Sequence, residues 1–108
     1  MRLEGLVVAN LHATNDFRRP QVAAAEIVRA EAFVTGVASG LPCVLAGDFN
    51  LRAEHVPELA GWSGRGPGID HVLVRGLFVS AFAAWPVERR RHNGAVLSDH
   101  APVEVTIE

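Results

Sequence analysis

Residues 42–50 read PCVLAGDFN, and this stretch decides the fold expected of the whole chain. The apolar run at its start, with Pro and Gly on its flanks, predicts a short buried strand. Asp48 and Asn50 follow, so a carboxylate and an amide arrive where the strand ends. Cys43, the one cysteine of the chain, lies inside the apolar run, where a buried and unreactive thiol is expected.

The N-terminal segment predicts a second strand. From residue 2 to residue 13 an alternating pattern passes into the continuous apolar run of residues 6–9, which is typical of a strand buried on both faces. This strand places Asn10 and His12 at its end. Polar side chains therefore follow an apolar strand at two separate places in the chain.

Residues 20 to about 39 predict a long helix between these two strands. Apolar side chains recur there at helical spacing. They are Ala23, Ile27, Ala30, Val34 and Val37. Pro20 suits the first helical turn, and Gly40 suits a C-terminal cap. The sequence thus predicts an α/β fold, with a mixed sheet and one long helix.

The chain beyond residue 50 predicts shorter elements. Residues 56–62 predict one or two helical turns, and residues 63–68 predict a loop from their Gly, Ser and Pro content. Residues 69–74 and 78–85 predict two strands, joined as a hairpin around Arg75 and Gly76. A polar loop is expected at residues 88–97, and a last strand at residues 101–107.

The composition is that of one globular domain over residues 1–108, with 49% hydrophobic and 20% charged residues. Because 10 basic residues stand against 12 acidic ones, the overall charge gives no reason to expect a coat of nucleic acid or anionic lipid. No signal peptide and no membrane span can be identified. We expect a soluble, cytoplasmic protein; the alternative is an export signal on a missing upstream segment.

Four short polar groups follow the predicted apolar strands or precede the last one. Each one alone is weak, since Asp and Asn often cap turns and an isolated His is usually a satisfied polar residue. Their joint occurrence is more specific. The four groups are Asn10-Leu11-His12, Gly47-Asp48-Phe49-Asn50, Ile69-Asp70-His71 and Ser98-Asp99-His100.

In this order, the patterns N-x-H, G-D-F-N, I-D-H and S-D-H-x-P-V resemble the later motifs of the endonuclease/exonuclease/phosphatase family. The resemblance runs from Val7 to Val105. It implies a four-layer α/β sandwich and hydrolysis of a phosphodiester or phosphomonoester with the help of a divalent metal. Mg²⁺ is the implied cofactor, with Mn²⁺ as the alternative, because both prefer oxygen ligands.

The resemblance assigns three residues to the metal and the attacking water. Asp48 matches the carboxylate that orients or deprotonates the water, and Asn50 matches the amide that holds the nucleophile and a phosphate oxygen. If the segment is extended, both side chains lie on the same side. Asp99 matches a carboxylate near the metal or its water ligands. The implied metal ligands are therefore Asp48, Asn50 and Asp99.

The resemblance also assigns the groups that handle protons. His100 matches the histidine that contacts the scissile phosphate, and Asp70 matches the carboxylate that accepts the other ring proton of that histidine. His12 matches the histidine on the leaving-group side. Asn10 is a supporting residue that orients the His12 segment.

The family domain is more than twice this length, so we expect the chain to be its C-terminal part with the N-terminal half missing. The earlier family motifs, an asparagine and the glutamate that is the main metal ligand, have no counterpart before Met1. We therefore expect weak or no activity from the chain alone. We also expect an exposed apolar sheet face, which needs a complementary half or self-association.

Other interpretations stay open at this stage. The chain could be a non-catalytic α/β binding or assembly module in which the same polar residues cap turns. A zinc hydrolase using His12, His71 and His100 is a poorer alternative, since no close two-histidine helical spacing is present. His71 is interpreted as structural, because it alternates with Asp70 on a strand. The substrate is a phosphate ester, and nucleic acid is one candidate among several that the charge does not select.

Overall fold

The computed structural model describes residues 2–108. Met1, the first residue of the predicted domain 1–108, lies outside the described residues. The chain contains one α-helix, nine strands and two single 3₁₀ turns within this range. The helix α1 spans Pro20–Ala38. The strands are β1 Arg2–Leu3, β2 Leu6–Asn10, β3 Cys43–Asp48, β4 Trp62–Ser63, β5 Asp70–Arg75, β6 Val79–Ala84, β7 Arg91–His92, β8 Ala95–Val96 and β9 Val103–Ile107.

The largest sheet has five strands in the order β1-β2-β3-β5-β4. β2 and β3 are parallel, with Val7 opposite Cys43, because α1 forms the crossover between them. β5 runs antiparallel to β3, and this register places Asp70 opposite Asp48. The predicted mixed sheet with one long helix is confirmed.

Helix α1 confirms the predicted element and corrects its cap. Pro20 lies in the first turn, where its missing N–H costs nothing. Ser39, rather than Gly40, is the C-cap residue, with a left-handed φ of 49°. Val37 was predicted to face the core but is 45% exposed, whereas Ala38 is fully buried. The buried stripe consequently runs from Ala23 through the middle of the helix to its last turn.

The core lies between α1 and one face of the five-stranded sheet. Ile27, Leu45, Phe49 and Leu73 are all at most 1% exposed and belong to one cluster. Each such side chain stabilises the fold by about 1.5–3 kcal/mol relative to leaving it in water. Cys43 is fully buried, as predicted, and burial raises the pKa of its thiol.

Two predictions are wrong, one for strand β2 and one for residues 56–62. Strand β2 is not buried on both faces, since Val7 is its only buried residue. The predicted helical turns at residues 56–62 do not form, and a 3₁₀ turn occupies Ala53–His55 instead. Val56 has an extended backbone because the ring of Pro57 disfavours the helical region for the residue before it.

The predicted hairpin of residues 69–74 and 78–85 is also wrong, although both strands exist. β5 is already paired with β3 on one edge and β4 on the other, so neither edge is free for β6. β6 pairs with β9 in a separate antiparallel ribbon. A second ribbon, formed by β7 and β8, interrupts the predicted polar loop at residues 88–97. Among the described residues, none beyond Val74 is fully buried.

Candidate active site

Strands β3 and β5 bring the first two carboxylates together. The antiparallel register sets Asp48, at the end of β3, opposite Asp70, at the start of β5. The chain after β2 continues along the same edge, because Leu11 N donates to Ala46 O at 2.9 Å and Ala13 N donates to Asp48 O at 2.9 Å. His12 lies between these two contacts and is thereby held beside Asp48.

Gly47 makes this close approach of the two chain segments possible. Its φ is 142°, and a Cβ atom built on it would lie 2.1 Å from the carbonyl oxygen of Leu11. Any side chain would therefore push the His12 segment away from β3. The glycine of the GDFN motif thus sets the position of His12 relative to Asp48.

The carboxylate of Asp48 is shared between the backbone and two histidines. Its Oδ1 accepts a hydrogen bond from the backbone N–H of Asn50 at 2.9 Å. Its Oδ2 lies 3.8 Å from Nε2 of His12 and 3.8 Å from Nε2 of His100. Asp48 is therefore oriented by the turn that follows it and faces both imidazoles with one oxygen.

The imidazole of His100, in the loop before β9, contacts the carboxylate of Asp70 at the start of β5. Nδ1 of His100 lies 2.7 Å from Oδ2 of Asp70. This contact raises the pKa of His100 because the carboxylate favours the charged imidazolium, with the charges of Asp48 and Asp99 adding to the effect. The contact is the one that the predicted acid/base pair requires. Nε2 of His100 stays directed toward Asp48.

Asn50 has a different backbone conformation from the predicted one. β3 ends at Asp48, and Asn50 has a left-handed φ of 50°, so the segment between them is not extended. Its side chain is buried, and Nδ2 donates to Ala13 O at 2.8 Å. In this structure Asn50 ties the His12 segment to the turn after β3.

The other sequence-predicted residues lie at the edge of the site. The side chain of Asp99 is 96% exposed, and its Oδ1 is 4.0 Å from Nε2 of His100. The His12 side chain is 77% exposed. Asn10 is exposed at the end of β2. These three side chains are therefore held less tightly than Asp48, Asp70 and His100.

A divalent cation could be held at the centre of this group. Ligand atoms of Asp48, Asp70 and His100 all lie within 4.8 Å of one another. Two carboxylates and one imidazole form a donor set that suits Mg²⁺, Mn²⁺ or a similar ion. Of the carboxylates predicted to bind the metal, Asp48 belongs to this cluster, whereas Asp99 does not.

His71 lies in the core and not in the site. Its Nδ1 accepts from Gly66 N at 2.8 Å, its Nε2 lies 2.6 Å from Leu51 O, and its ring stacks on Phe49. Burial lowers the pKa of His71 and keeps the ring neutral. Because both ring nitrogens are engaged, the zinc alternative built on His71 is wrong.

Two residues that the motifs did not single out line a cleft beside the site. This cleft of about 430 Å³ is lined by Asp70, Asp99 and His100, and also by Phe17 and Arg52. Phe17 lies in the loop between β2 and α1, and Arg52 follows the GDFN turn. An isolated aromatic residue in an otherwise polar loop was the only sequence signal for Phe17.

Comparison with known sequences gives the family of the chain. A sequence model of the Endonuclease/Exonuclease/phosphatase family matches residues 2–100. The chain belongs to this family. The predicted resemblance is therefore confirmed over most of its length. No curated protein matches the chain.

Solved structures share the fold of this family member at low sequence identity. A humanized TDP2 from D. rerio has a TM-score of 0.78 and 17% identity, over 95% of this chain and 52% of its own. A conserved protein of unknown function from Enterococcus faecalis gives 0.73 and 19%, over 92% and 48%. A mannosyl-6-phosphatase from Bacteroides thetaiotaomicron gives 0.66 and 18%, over 92% and 49%. The chain spans about half the length of these structures.

No helix among residues 2–108 combines the length and the apolar character that crossing a membrane requires.

Proposed function

We propose that this chain supplies the proton-transfer part of a divalent-metal-dependent phosphoesterase that hydrolyses phosphate mono- or diesters. The observation that carries the proposal is the convergence of Asp48, Asp70 and His100 within 4.8 Å in a member of this family. These three groups come from two neighbouring strands of one sheet and from the loop before β9. One of the structural relatives is itself a phosphatase by name.

In the proposed reaction Asp48 orients the attacking water and accepts its proton. Its Oδ1 is held by the Asn50 N–H, which leaves Oδ2 as the basic atom that faces the two histidines. A carboxylate fixed in this way contributes through orientation and proton transfer. His12, on the exposed side of Asp48, protonates the leaving group.

His100 binds the phosphoryl oxygens through Nε2. Its Nδ1 is taken by Asp70, which fixes the ring orientation and favours the imidazolium. A positively charged donor aimed at developing negative charge stabilises the transition state. A divalent cation held by the carboxylates of Asp48 and Asp70 would add Lewis-acid stabilisation of the phosphoryl group. Mg²⁺ is the proposed ion, with Mn²⁺ as its substitute, and Asp99 is a supporting outer carboxylate.

The test is hydrolysis of bis-p-nitrophenyl phosphate and p-nitrophenyl phosphate with Mg²⁺, with Mn²⁺ and with EDTA. We expect weak, metal-dependent release of nitrophenol that is lost in Asp48→Asn and in His100→Ala. His92→Ala is the matched control, because His92 is an exposed histidine outside the cluster. Hydrolysis that continues in EDTA or survives both active-site substitutions would overturn the proposal.

The assay should be run over a range of chain concentrations, since the chain spans about half the length of the matched structures. Activity that rises more steeply than concentration indicates that a second copy completes the site. No hydrolysis at any concentration by a chain with a cooperative unfolding transition favours the alternative, a non-catalytic binding or assembly module.

A further inference from the structure

The position of His12 is set by its backbone, because its side chain has little packing around it. That side chain is 77% exposed, and its Nε2 lies 3.8 Å from Oδ2 of Asp48. Before it, Leu11 N donates to Ala46 O at 2.9 Å. After it, Ala13 N donates to Asp48 O at 2.9 Å. The contacts that hold this segment against β3 therefore set the place of His12 beside Asp48.

A pair of side chains, Thr14 and Glu26, ties the end of this segment to helix α1. The carboxylate of Glu26 accepts the backbone N–H of Thr14 at 3.0 Å and also accepts its hydroxyl. The two residues are 12 positions apart in the sequence, so the loop is joined to a different element. The hydroxyl is the largest cause of the lowered pKa of Glu26, which keeps the carboxylate ionised. Hydrogen bonds to an ionised acceptor are about twice as strong as neutral ones.

Glu26 reaches the loop from a packed part of the helix. Ile27, next to it, is fully buried, and Ala23, one turn earlier, is 2% exposed. Both belong to the core cluster between α1 and the sheet. Thr14, in contrast, is exposed. The helix therefore serves as the fixed support and the loop as the part that is held.

We propose that Glu26 is a positioning residue of the site, which acts through Thr14 to hold the His12 segment against β3. Its role is indirect, since its described hydrogen bonds go to Thr14. This inference rests on the proposed function, because it takes His12 as the group that protonates the leaving group. A catalytic group displaced by about 1 Å loses much of its effect on the rate.

Hydrogen exchange measured by nuclear magnetic resonance tests the positioning without turnover. In Glu26→Ala the amide of Ala13 should exchange about tenfold faster, because the His12 segment opens more often from β3. The amide of Phe49 is also hydrogen bonded at this end of β3 and should keep its rate. Local opening is thereby distinguished from a general loss of stability.

Matched variants separate the Thr14–Glu26 pair from general effects of substitution. Thr14→Ser keeps the hydroxyl and should exchange at Ala13 as the wild type does. Thr14→Val keeps only the N–H bond, so its effect should be smaller than that of Glu26→Ala. Thr35→Val is the control, because Thr35 donates to Glu31 at 2.9 Å further along the same helix. It should leave exchange at Ala13 unchanged.

The dependence of the rate on the leaving group tests the consequence for the reaction. Phenolate is a more basic leaving group than p-nitrophenolate, so phenyl phosphate needs a proton donor more than p-nitrophenyl phosphate does. In Glu26→Ala, kcat should fall about tenfold with phenyl phosphate and less with p-nitrophenyl phosphate, with KM unchanged for both. A smaller amount of folded protein would lower both rates by the same factor.

Three results would overturn the inference. They are an unchanged exchange rate at Ala13 in Glu26→Ala, equal acceleration at Ala13 and Phe49, and equal losses of kcat with the two esters. If the folded wild-type chain hydrolyses neither ester while exchange at Ala13 depends on Glu26, the positioning of the segment stands and the phosphoesterase proposal alone is refuted.

Discussion

The first 75 residues and the last 33 of the chain contribute to the same site from very different structural surroundings. Every fully buried residue among those described lies at or before Val74, and the segment after it forms two exposed ribbons. Asp48 and Asp70 belong to the packed sheet, whereas His100 belongs to the ribbon segment. The carboxylates are therefore fixed by core packing and strand register, and the histidine is fixed mainly by polar contacts.

This difference makes the Asp70–His100 contact the link between the two regions at the site. His100 is reached through a turn in which its backbone N–H donates to Oγ of Ser98 at 3.0 Å. The other described site contacts of His100, to Asp48 and Asp99, are 3.8 Å or longer. Substitutions in the packed sheet should consequently act through stability, and substitutions in the ribbon segment through site geometry.

The largest expected effect comes from removing a core side chain. Phe49→Ala should lower the free energy of unfolding by about 3–5 kcal/mol, because Phe49 is fully buried and leaves a cavity. Phe82→Ala, the matched change in β6, should cost much less, since Phe82 is 44% exposed. Urea titrations followed by circular dichroism give both values. Equal losses would mean that the ribbon contributes to the core as strongly as the sheet.

The next largest expected effect is the difference in the free energy of unfolding between two glycine-to-alanine substitutions. Gly47 and Gly94 both have positive φ values, of 142° and 80°, so alanine is strained at either position. Only at Gly47 would the new Cβ meet backbone, 2.1 Å from Leu11 O, whereas nothing lies within 4 Å at Gly94. Gly47→Ala should destabilise the chain by about 1–3 kcal/mol more than Gly94→Ala, measured by the same titrations. Similar losses would contradict the close approach of the His12 segment.

Features that depend on local sequence pattern could be predicted, whereas features that depend on contacts distant in sequence could not. Apolar runs locate strands by local pattern, so the ends of β3 and β5 and the polar groups of Asp48 and Asp70 were identified. Strand pairing is set by contacts distant in sequence, and for that reason the hairpin prediction was wrong. The left-handed backbone of Asn50 likewise depends on its buried contact with Ala13.

Residues without a motif were the ones that sequence reasoning did not identify. Phe17 and Arg52 reach the cleft through a loop and a turn whose paths depend on contacts with helix α1 and with the core. His71, in contrast, was correctly interpreted as structural, because alternation along β5 places it on the face opposite Asp70. Strand periodicity could be predicted, whereas loop placement could not.

The two histidines should give the stability of the chain opposite pH dependences. The pKa of His71 is lowered by burial, so its contribution to stability is present above its ordinary value of 6.5 and is lost as pH falls. The pKa of His100 is raised, mainly by its hydrogen bond to Asp70, so its contribution is present below 6.5 and is lost as pH rises through the raised value. Unfolding free energies measured between about pH 5 and 8 test both signs.

Single substitutions separate these two contributions. His71→Gln should flatten the loss of stability below pH 6.5, and His100→Gln should flatten the loss above it. The exposed His92 provides the control, since His92→Gln should leave the shape of the profile unchanged. A steeper acid limb in His71→Gln would show that His71 is protonated in the folded chain.

The smallest and most local effect is the response of one titration curve to the loss of one carboxylate charge. Asp70→Asn should lower the pKa of His100 toward its ordinary value of 6.5, because the hydrogen bond and the charge of Asp70 are its largest causes of elevation. Nuclear magnetic resonance of the imidazole in metal-free protein measures this shift. The imidazole signals of His71 should not change, because its ring faces away from the site. They serve as the internal reference. An unchanged His100 titration would mean that the ribbon segment does not hold His100 against Asp70 in solution. Polar contacts would then not be what fixes His100 in the site.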